Sequence, residues 1–450
     1  MNIFQLLSSI DEFFWAYIAL VLIFSMGLLL SIRFHFFQIR QLPKIIKTFF
    51  HFMFAKNSSA DRGIHPLKAF FASTGGMIGI GNVVGVTTAV QLGGPGALFW
   101  LWIAAIIGSI VKYCEIYLGI KYRVENNRGS YDGGPMYFLR KAFKSPIVPV
   151  LISVLLCVYG IEIYQFSVIT ESVHTNWHIS NLIVIPIFLG AVLWAVKGGI
   201  ERVGKLCTWI VPFFIILYVG MGLYVVIVEA PQIPALLTMV FRSAFTGHAA
   251  IGGFAGASFI LAVQQGIARA AYSADIGIGY DSIIQSESNT VDPIRQGRLA
   301  ILGVFVDNLV CTMSVLVVLF SGVWKVYGSS VEGSALMQAA MSHYFIGMRI
   351  FLPLFYIITG YTTIIAYLCI GLKCARYLAP KIGEKIYLLY GTVAFIFFSF
   401  MPQRHALLVM SICGASLLTI NLLGIFKLRR EVEWQEIEEV PPMEVETPTA

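Results

Sequence analysis

Charge is what this chain of 450 residues lacks most, with Asp, Glu, Lys and Arg together at 12% against 58% hydrophobic residues. With a mean hydropathy of +0.79, it has too little charge to clothe a water-exposed surface, so lipid must be its principal solvent. Also missing are a Walker loop, a nucleophile elbow and a His-Glu-x-x-His pair, which removes the sequence-readable routes to ATP hydrolysis and covalent catalysis, and no enzyme is expected. None of the seven cysteines (Cys114, Cys157, Cys207, Cys311, Cys369, Cys374, Cys413) forms a metal-type Cys-x-x-Cys pair; free thiols and no cofactor are expected.

What is present is a succession of long apolar runs. A bilayer core takes about 20 apolar residues per helix, and eleven runs meet that description: 13–33, 66–92, 96–120, 146–170, 181–196, 206–229, 252–272, 298–324, 346–372, 384–401 and 405–426. An all-α integral membrane protein of about eleven transmembrane helices is predicted. The first run follows Asp11 and Glu12 and lacks a basic leader, so it reads as a retained helix and not a signal peptide. Basic residues crowd one set of loops, from Arg33, Arg40, Lys44 and Lys47 through Lys121, Arg123, Arg140 and Lys141 to Arg295, Arg298, Lys373 and Arg376. The positive-inside rule then sets the N-terminus outside and the C-terminus in the cytoplasm of a plasma (inner) membrane. The net charge of +7 thus follows from topology, and no nucleic-acid partner is implied.

The chain divides into an extra N-terminal helix (1–34), a basic cytoplasmic loop (35–65), a five-helix repeat (66–230), a second (231–427) and an acidic tail (428–450) expected to be disordered. The tetrapeptide Ile-Gly-Ile-Gly occurs at 78–81 and again at 276–279, one copy in each half, the first in mid-helix and the second near a cytoplasmic end. Five helices per half require the second half to lie inverted, as in many secondary transporters. Gly75, Gly76, Gly79, Gly81 and Gly85 crowd the middle of one span. Glycine there either allows close helix packing or frees the backbone to unwind. Unwound backbone in a membrane needs protein, water or a ligand as partner, and Asn82 beside the glycines favours a site.

Ionisable residues at membrane depth are costly, so each invites a partner or a task. Lys112 and Glu115, three apart on one helix face, are expected to neutralise each other, and Arg269 and Asp275 to do the same at the end of the seventh helix as structural or gate charges. Glu162 and Asp307 have no basic neighbour within a turn. Each is a candidate to couple a cation or carry a proton, with a partner brought by the fold as the other reading.

The stretches DRGIHPLKAFFAS, GIGNVVGVTTAVQLGGPGALFWLWIAAIIGSIVKYCEIYLGIKYR, GGPMYFL, GIARAAYSADIGIG and GVFVDNLVCTMSVLVVLFSG resemble the alanine/glycine:cation symporter family, over nearly the whole chain. The resemblance implies a leucine-transporter-like fold of five plus five inverted helices with one extra N-terminal helix, and sodium-coupled uptake of alanine or glycine. It implies that Gly79, Gly81 and Asn82 offer backbone groups to the substrate, and that Gln165, Gln265, Gly266 and Tyr361 line the pocket. The chain departs from the family where two hydroxyl residues become Met77 and Ile80, where a Ser-Thr pair becomes Tyr356-Ile357, and where a tryptophan becomes Gln265. Sodium prefers hard oxygen ligands, which leaves Thr359 and backbone carbonyls to replace the lost hydroxyls and keeps proton coupling open. A proton-coupled carrier or exchanger of another small solute is one alternative; a channel or a sensor is another. The partners implied are a small amino acid and membrane lipid; the oligomeric state is not specified.

Overall fold

A chain in lipid must satisfy its backbone hydrogen bonds within itself, which makes helix the default. The computed structural model describes residues 3–54, 62–246, 259–290, 292–327 and 332–435. Their secondary structure is helical apart from a two-stranded hairpin pairing Val124–Glu125 with Tyr131–Asp132 and an isolated bridge between Ile64 and Ser288.

The principal helices are α1 (Phe4–Arg33), α2 (Leu42–Phe54), α3 (Pro66–Met77), α4 (Gly81–Gly93), α5 (Ala97–Lys121), α6 (Ile147–Tyr159), α7 (Ile163–Trp177), α8 (Asn181–Val196), α9 (Gly199–Val228), α10 (Ile233–Thr246), α11 (Phe259–Ser273), α12 (Tyr280–Gln285), α13 (Pro293–Ser321), α14 (Gly333–Tyr344), α15 (Met348–Leu378), α16 (Gly383–Ser399) and α17 (Gln403–Leu428). Seven are long and apolar enough to cross a membrane: α1, α5, α6 with α7 as one span, α9, α13, α15 and α17. The pair α3 and α4, bent by 44° at its break, makes an eighth if counted as one span. Each of the eleven expected runs meets a helix among the described residues, although α8, α11 and α16 have only 16, 15 and 17 residues. The start of the seventh run, 252–258, lies outside the described residues.

Several helices occupy stretches read from the sequence as loops, among them α2 within 35–65, a short helix at Pro135–Phe143, α10 and α14; the last two are packed by one face. α10 buries Leu236, Val240, Ser243 and Ala244, a three-to-four spacing that seats one face against α5 and α11. α14 buries Leu336, Met337, Ala340 and Met341 over α13. Both are too short to span a bilayer, which is why a search for runs of 20 passes over them.

α5 and α15 form the interior, buried along most of their length. α9 instead presents Trp209, Phe213, Ile216 and Ile227 outward, the surface that lipid rather than water would wet. The stretch following α17, expected to be disordered, is packed as far as residue 435. Trp434 stacks on Phe34 at 3.9 Å and on Tyr113 at 4.8 Å between ring centroids. Tyr113 donates to the Glu433 carbonyl at 2.7 Å and Lys121 to the Glu431 carbonyl at 2.9 Å. One aromatic residue and the basic end of α5 thus anchor an otherwise acidic segment, while 436–450 lie outside the described residues.

Trp434→Ala removes the ring shared by α1 and α5 and is expected to lower the melting temperature in detergent by roughly a few degrees, read by differential scanning fluorimetry.

Candidate functional site

Three interruptions of helical geometry meet in the interior. The first separates α3 from α4: Ile78 is extended (φ −83°, ψ 98°), and the amides of Gly79 and Ile80 leave the helical ladder. They are taken instead by side-chain amide oxygens. Asn82 Oδ1 accepts from Gly79 N at 2.9 Å, and Gln165 Oε1 accepts from Ile80 N at 3.2 Å. Glycine is required at 79 because a Cβ there would stand 2.6 Å from Gln165 Oε1 and overlap the Thr363 hydroxyl.

The second interruption separates α6 from α7. Glu162 sits at φ +56° in left-handed geometry, an uncommon conformation for a residue with a side chain, and is 2% exposed. Its carboxylate accepts from Gln165 Nε2 at 3.1 Å, so this break and the first are joined through one glutamine. The third lies between α11 and α12, where Asp275, Gly277 and Gly279 all have positive φ (49°, 74° and 105°). Both Ile-Gly-Ile-Gly copies therefore fall at helix breaks. The second, expected near a cytoplasmic helix end, occupies the unwound turn that follows the end of α11 at Ser273, held by Asn421 Nδ2 donating to the Gly277 carbonyl at 3.0 Å.

From the first break a polar chain runs to α13. Asn82 Nδ2 donates to Asp307 Oδ1 and, at 3.2 Å, to Cys311 Sγ. Ser273 Oγ, the last residue of α11, donates to Asp307 Oδ2 at 2.8 Å. On the α15 side, Thr363 donates to the carbonyls of Gly75 at 3.1 Å and Thr359 at 3.2 Å, and Thr359 donates to Phe355 O at 2.9 Å. Asn82, Thr363 and Glu162 are all buried, so their oxygens are held without bulk water. The network Glu162, Gln165, break backbone, Asn82, Asp307 and Ser273 offers amide donors to an anion and a convergence of hard oxygens to a cation.

Of the residues the sequence pointed to, Gly79, Gly81, Asn82, Gln165, Glu162 and Asp307 are brought together here, with Thr359 one turn from Thr363. Gly81 faces the Tyr272 ring, 3.5 Å from where its Cβ would be. Three others lie elsewhere. The Tyr361 hydroxyl donates to Ala191 O at 3.1 Å and its ring stands near Phe188, on the α8 side of α15. Gly266 is a close-packing position, where a Cβ would lie 2.5 Å from the Ala97 carbonyl. Gln265 lines a small cavity of about 50 Å³ with Asp11, Glu12, Arg269 and Tyr272, beside α1. Ser273, Cys311 and Thr363 were not singled out; the signal for Thr363 was its position four residues after Thr359, one turn along the same face.

Both expected charge pairs are replaced by another arrangement. Lys112 does not pair with Glu115. Its ammonium donates to Asp275 O at 2.7 Å and Asp275 Oδ2 at 3.0 Å and stands 3.1 Å from Asp281 Oδ2. Asp275 is therefore held by Lys112 across 163 positions of sequence, not by Arg269, whose Nε has no hydrogen bond among the described residues. Short sequence spacing favours i,i+3 pairs only where nothing better is near; the unwound turn offered Lys112 a carbonyl and one carboxylate, and α12 a second. A larger cavity of about 520 Å³ opens on the basic side between Gly63, Lys197, Glu287, Lys373 and Glu384, and none of the residues lining it belongs to the first break. There Lys373 pairs with Asp132 at 3.1 Å and with Glu287.

This arrangement, helix breaks facing each other around buried oxygens in a many-helix membrane protein, agrees with what sequence comparison finds. A model described as the sodium:alanine symporter family matches residues 1–439. The chain belongs to the sodium:alanine symporter family. As a member of that family it is a multi-pass transporter with amino-acid carriers among its relatives. It is 31% identical over 440 residues to an uncharacterised transporter of Haemophilus influenzae, covering 96% of this chain and 95% of that one. It is equally 31% identical over 444 residues to the sodium/alanine symporter of Methanococcus maripaludis, covering 95% of each. A Bacillus subtilis protein described as a probable sodium/glutamine symporter is 30% identical over 434 residues, 94% of this chain and 87% of its own.

Among solved structures, MhsT in complex with L-phenylalanine superimposes with a TM-score of 0.56 at 14% identity, over 84% of this chain and 91% of that one. A mutant of the manganese transporter of Eremococcus coleocola gives 0.52 at 13% identity, over 80% and 76%. At such identities the likeness speaks of the fold alone, that of the leucine-transporter type.

Lys112→Met leaves Asp275 and Asp281 buried without their cation and is expected to cost about 3–5 kcal/mol, seen as a large fall in melting temperature. Asp275→Asn added to it should recover part of the loss.

Proposed function

We propose that this symporter imports a small neutral amino acid, alanine or glycine, together with sodium, by alternating access. The observation that carries this reading is the pair of backbone amides at the first break. Gly79 N and Ile80 N are aimed into the interior and are held by the side-chain oxygens of Asn82 and Gln165, oxygen acceptors in the place where a substrate carboxylate would accept. On binding, the carboxylate takes these donors, and the Gln165 oxygen so released, with Glu162 near it, receives the ammonium. Ile80 and Gly360, whose missing Cβ would stand 2.9 Å from Ile80 Cδ1, leave little width beside the break and suit a short side chain.

For the cation, Ser273 Oγ and the Asp307 carboxylate oxygens meet between α11 and α13, where the Asn82 amide nitrogen donates to Asp307 while its oxygen is turned to Gly79 N. The Ser273 and Asp307 oxygens supply the hard ligands that Met77 and Ile80 lack, with Thr359 and Thr363 on the facing helix. The chain is read with the basic loops in the cytoplasm of the plasma membrane, the N-terminus outside, and the ten helices after α1 as two inverted halves, 66–230 and 231–427. Gln265, Arg269 and Tyr272, which run from the middle of α11 towards its C-terminal end beside Asp11, then close the path from outside, and the 520 Å³ cavity lies on the inner side.

A second reading has its own observation. Glu162 and Asp307 are buried carboxylates whose hydrogen bonds come from neutral donors: Gln165 to one, Asn82 and Ser273 to the other. Such groups can carry protons in place of a metal ion. Purified protein in liposomes should accumulate labelled alanine or glycine under an imposed inward sodium gradient, and not under a proton gradient alone. Accumulation driven only by protons moves the coupling to the carboxylates, and no uptake of either amino acid removes the substrate assignment.

A further inference from the structure

The Lys112 cluster contains more acid than its one base can hold. Lys112, Glu115, Asp275 and Asp281 are each 0% exposed, so with every group ionised the cluster would carry a net charge of one positive and three negative groups inside the protein. An ammonium has three N–H donors. Lys112 directs them at Asp275 O, Asp275 Oδ2 and Asp281 Oδ2. The aspartates have further donors: Asp281 N donates to Asp275 Oδ2 at 2.9 Å, and Gln285 Nε2 reaches both Asp281 oxygens at 2.9 Å.

None of the Lys112 donors remains for Glu115, and the one donor near it is the backbone amide of Gly277 on the turn. Neither of its carboxylate oxygens makes a well-formed hydrogen bond among the described residues, and one oxygen of Asp275, Oδ1, is likewise open. An ionised carboxylate buried with so little to receive its charge would be far costlier than its neutral acid. On either side of Glu115, α5 meets the unwound turn and α12 at close range. A Cβ on Gly108 would stand 2.6 Å from Ile276 Cδ1, and one on Gly119 2.9 Å from Ser282 Cβ.

From these contacts we infer that Glu115 is a proton-binding site, separate from the substrate and cation ligands, whose proton is held while α5 is packed on the 274–279 turn and is released to water when that turn and α12 move away. The groups facing Glu115 are Lys112 on its own helix and Asp275 and Asp281 on the turn and α12. Behind these, Glu162 on the α6–α7 break faces Asp275, and Asp307 on α13 faces Lys112; α17 contributes the neutral Asn421. The neutral acid favours the packed arrangement, and ionisation, which needs water, favours the parted one. Because the cluster sits in the half of α5 that ends at the basic Lys121, the water that receives the proton is cytoplasmic. Internal acidification therefore holds the inner side closed.

Two measurements test this. Infrared difference spectroscopy of the reconstituted full-length protein, Glu115→Gln against parent at neutral pH, should show loss of a carboxylic-acid C=O band. Absence of any lost acid band means that Glu115 is ionised and overturns the inference. If Glu115→Gln does not fold, Glu115→Asp serves in its place: a shifted acid band supports the site, and an unshifted spectrum overturns it. This readout is independent of what the protein carries. The second measurement rests on the transport reading: uptake by the parent should slow as the liposome interior is acidified, whereas Glu115→Gln should run at the parent's acid-limit rate at every internal pH. A variant that keeps the parent's internal-pH dependence overturns the gating role.

Discussion

A backbone that leaves helical geometry inside a membrane must find hydrogen-bond partners within the protein, and the rest of this structure is arranged around that requirement. At the first break two amides are freed by Ile78 and Gly79, and two side-chain amides, Asn82 and Gln165, take them. At the break between α11 and α12 the freed carbonyls are taken by Lys112 and Asn421. Each solution recruits a side chain from a different helix, so the breaks tie α5, α7, α13, α15 and α17 to one interior. The first solution is also exchangeable: a ligand that supplies the same acceptors can displace the Asn82 and Gln165 side chains at little net cost, because one neutral hydrogen bond replaces another.

The scarcity of charge in the chain makes the placement of the buried charges informative. Lys112 directs two of its donors to Asp275 on the unwound turn and the third to Asp281 on α12, which ties the α11–α12 break to α5. Asp307 is served by neutral donors from α4 and α11. The two acid-rich places therefore differ in kind. One is closed by a resident cation, and the other is closed only by dipoles that a mobile cation would also satisfy. That difference in partners, read from geometry, distinguishes the Lys112 cluster from the place proposed for the cation.

Much of this was legible in the residues. The apolar runs located helices at all eleven places, since lipid imposes a length on them, and the glycines with Asn82 marked the first break. The repeated Ile-Gly-Ile-Gly marked both a first and a second break, although only the first had been placed at one. What the sequence hid was pairing across distance. Lys112 with Asp275 and Asp281, and Asn82 with Asp307, are set by tertiary approach, and local spacing pointed instead to Glu115 and Arg269. Of the residues the family resemblance assigned to one pocket, Gln165 stands at the first break, whereas Gln265 faces α1, Gly266 packs on α5 and Tyr361 faces α8. The short α10 and α14, and the segment after α17 anchored by Trp434, were missed because their stability comes from one face packed on neighbours rather than from a long apolar run.

The central claim is that the amides at the α3–α4 break receive the substrate. Its most direct test is equilibrium binding of labelled alanine, in sodium, to purified Gly79→Ala beside the parent, with monodispersity and helix content confirming the fold. The account predicts that the added methyl, crowding Gln165 and Thr363, weakens binding by at least about tenfold, or 1.4 kcal/mol. A folded Gly79→Ala that binds alanine as the parent does would place the substrate elsewhere.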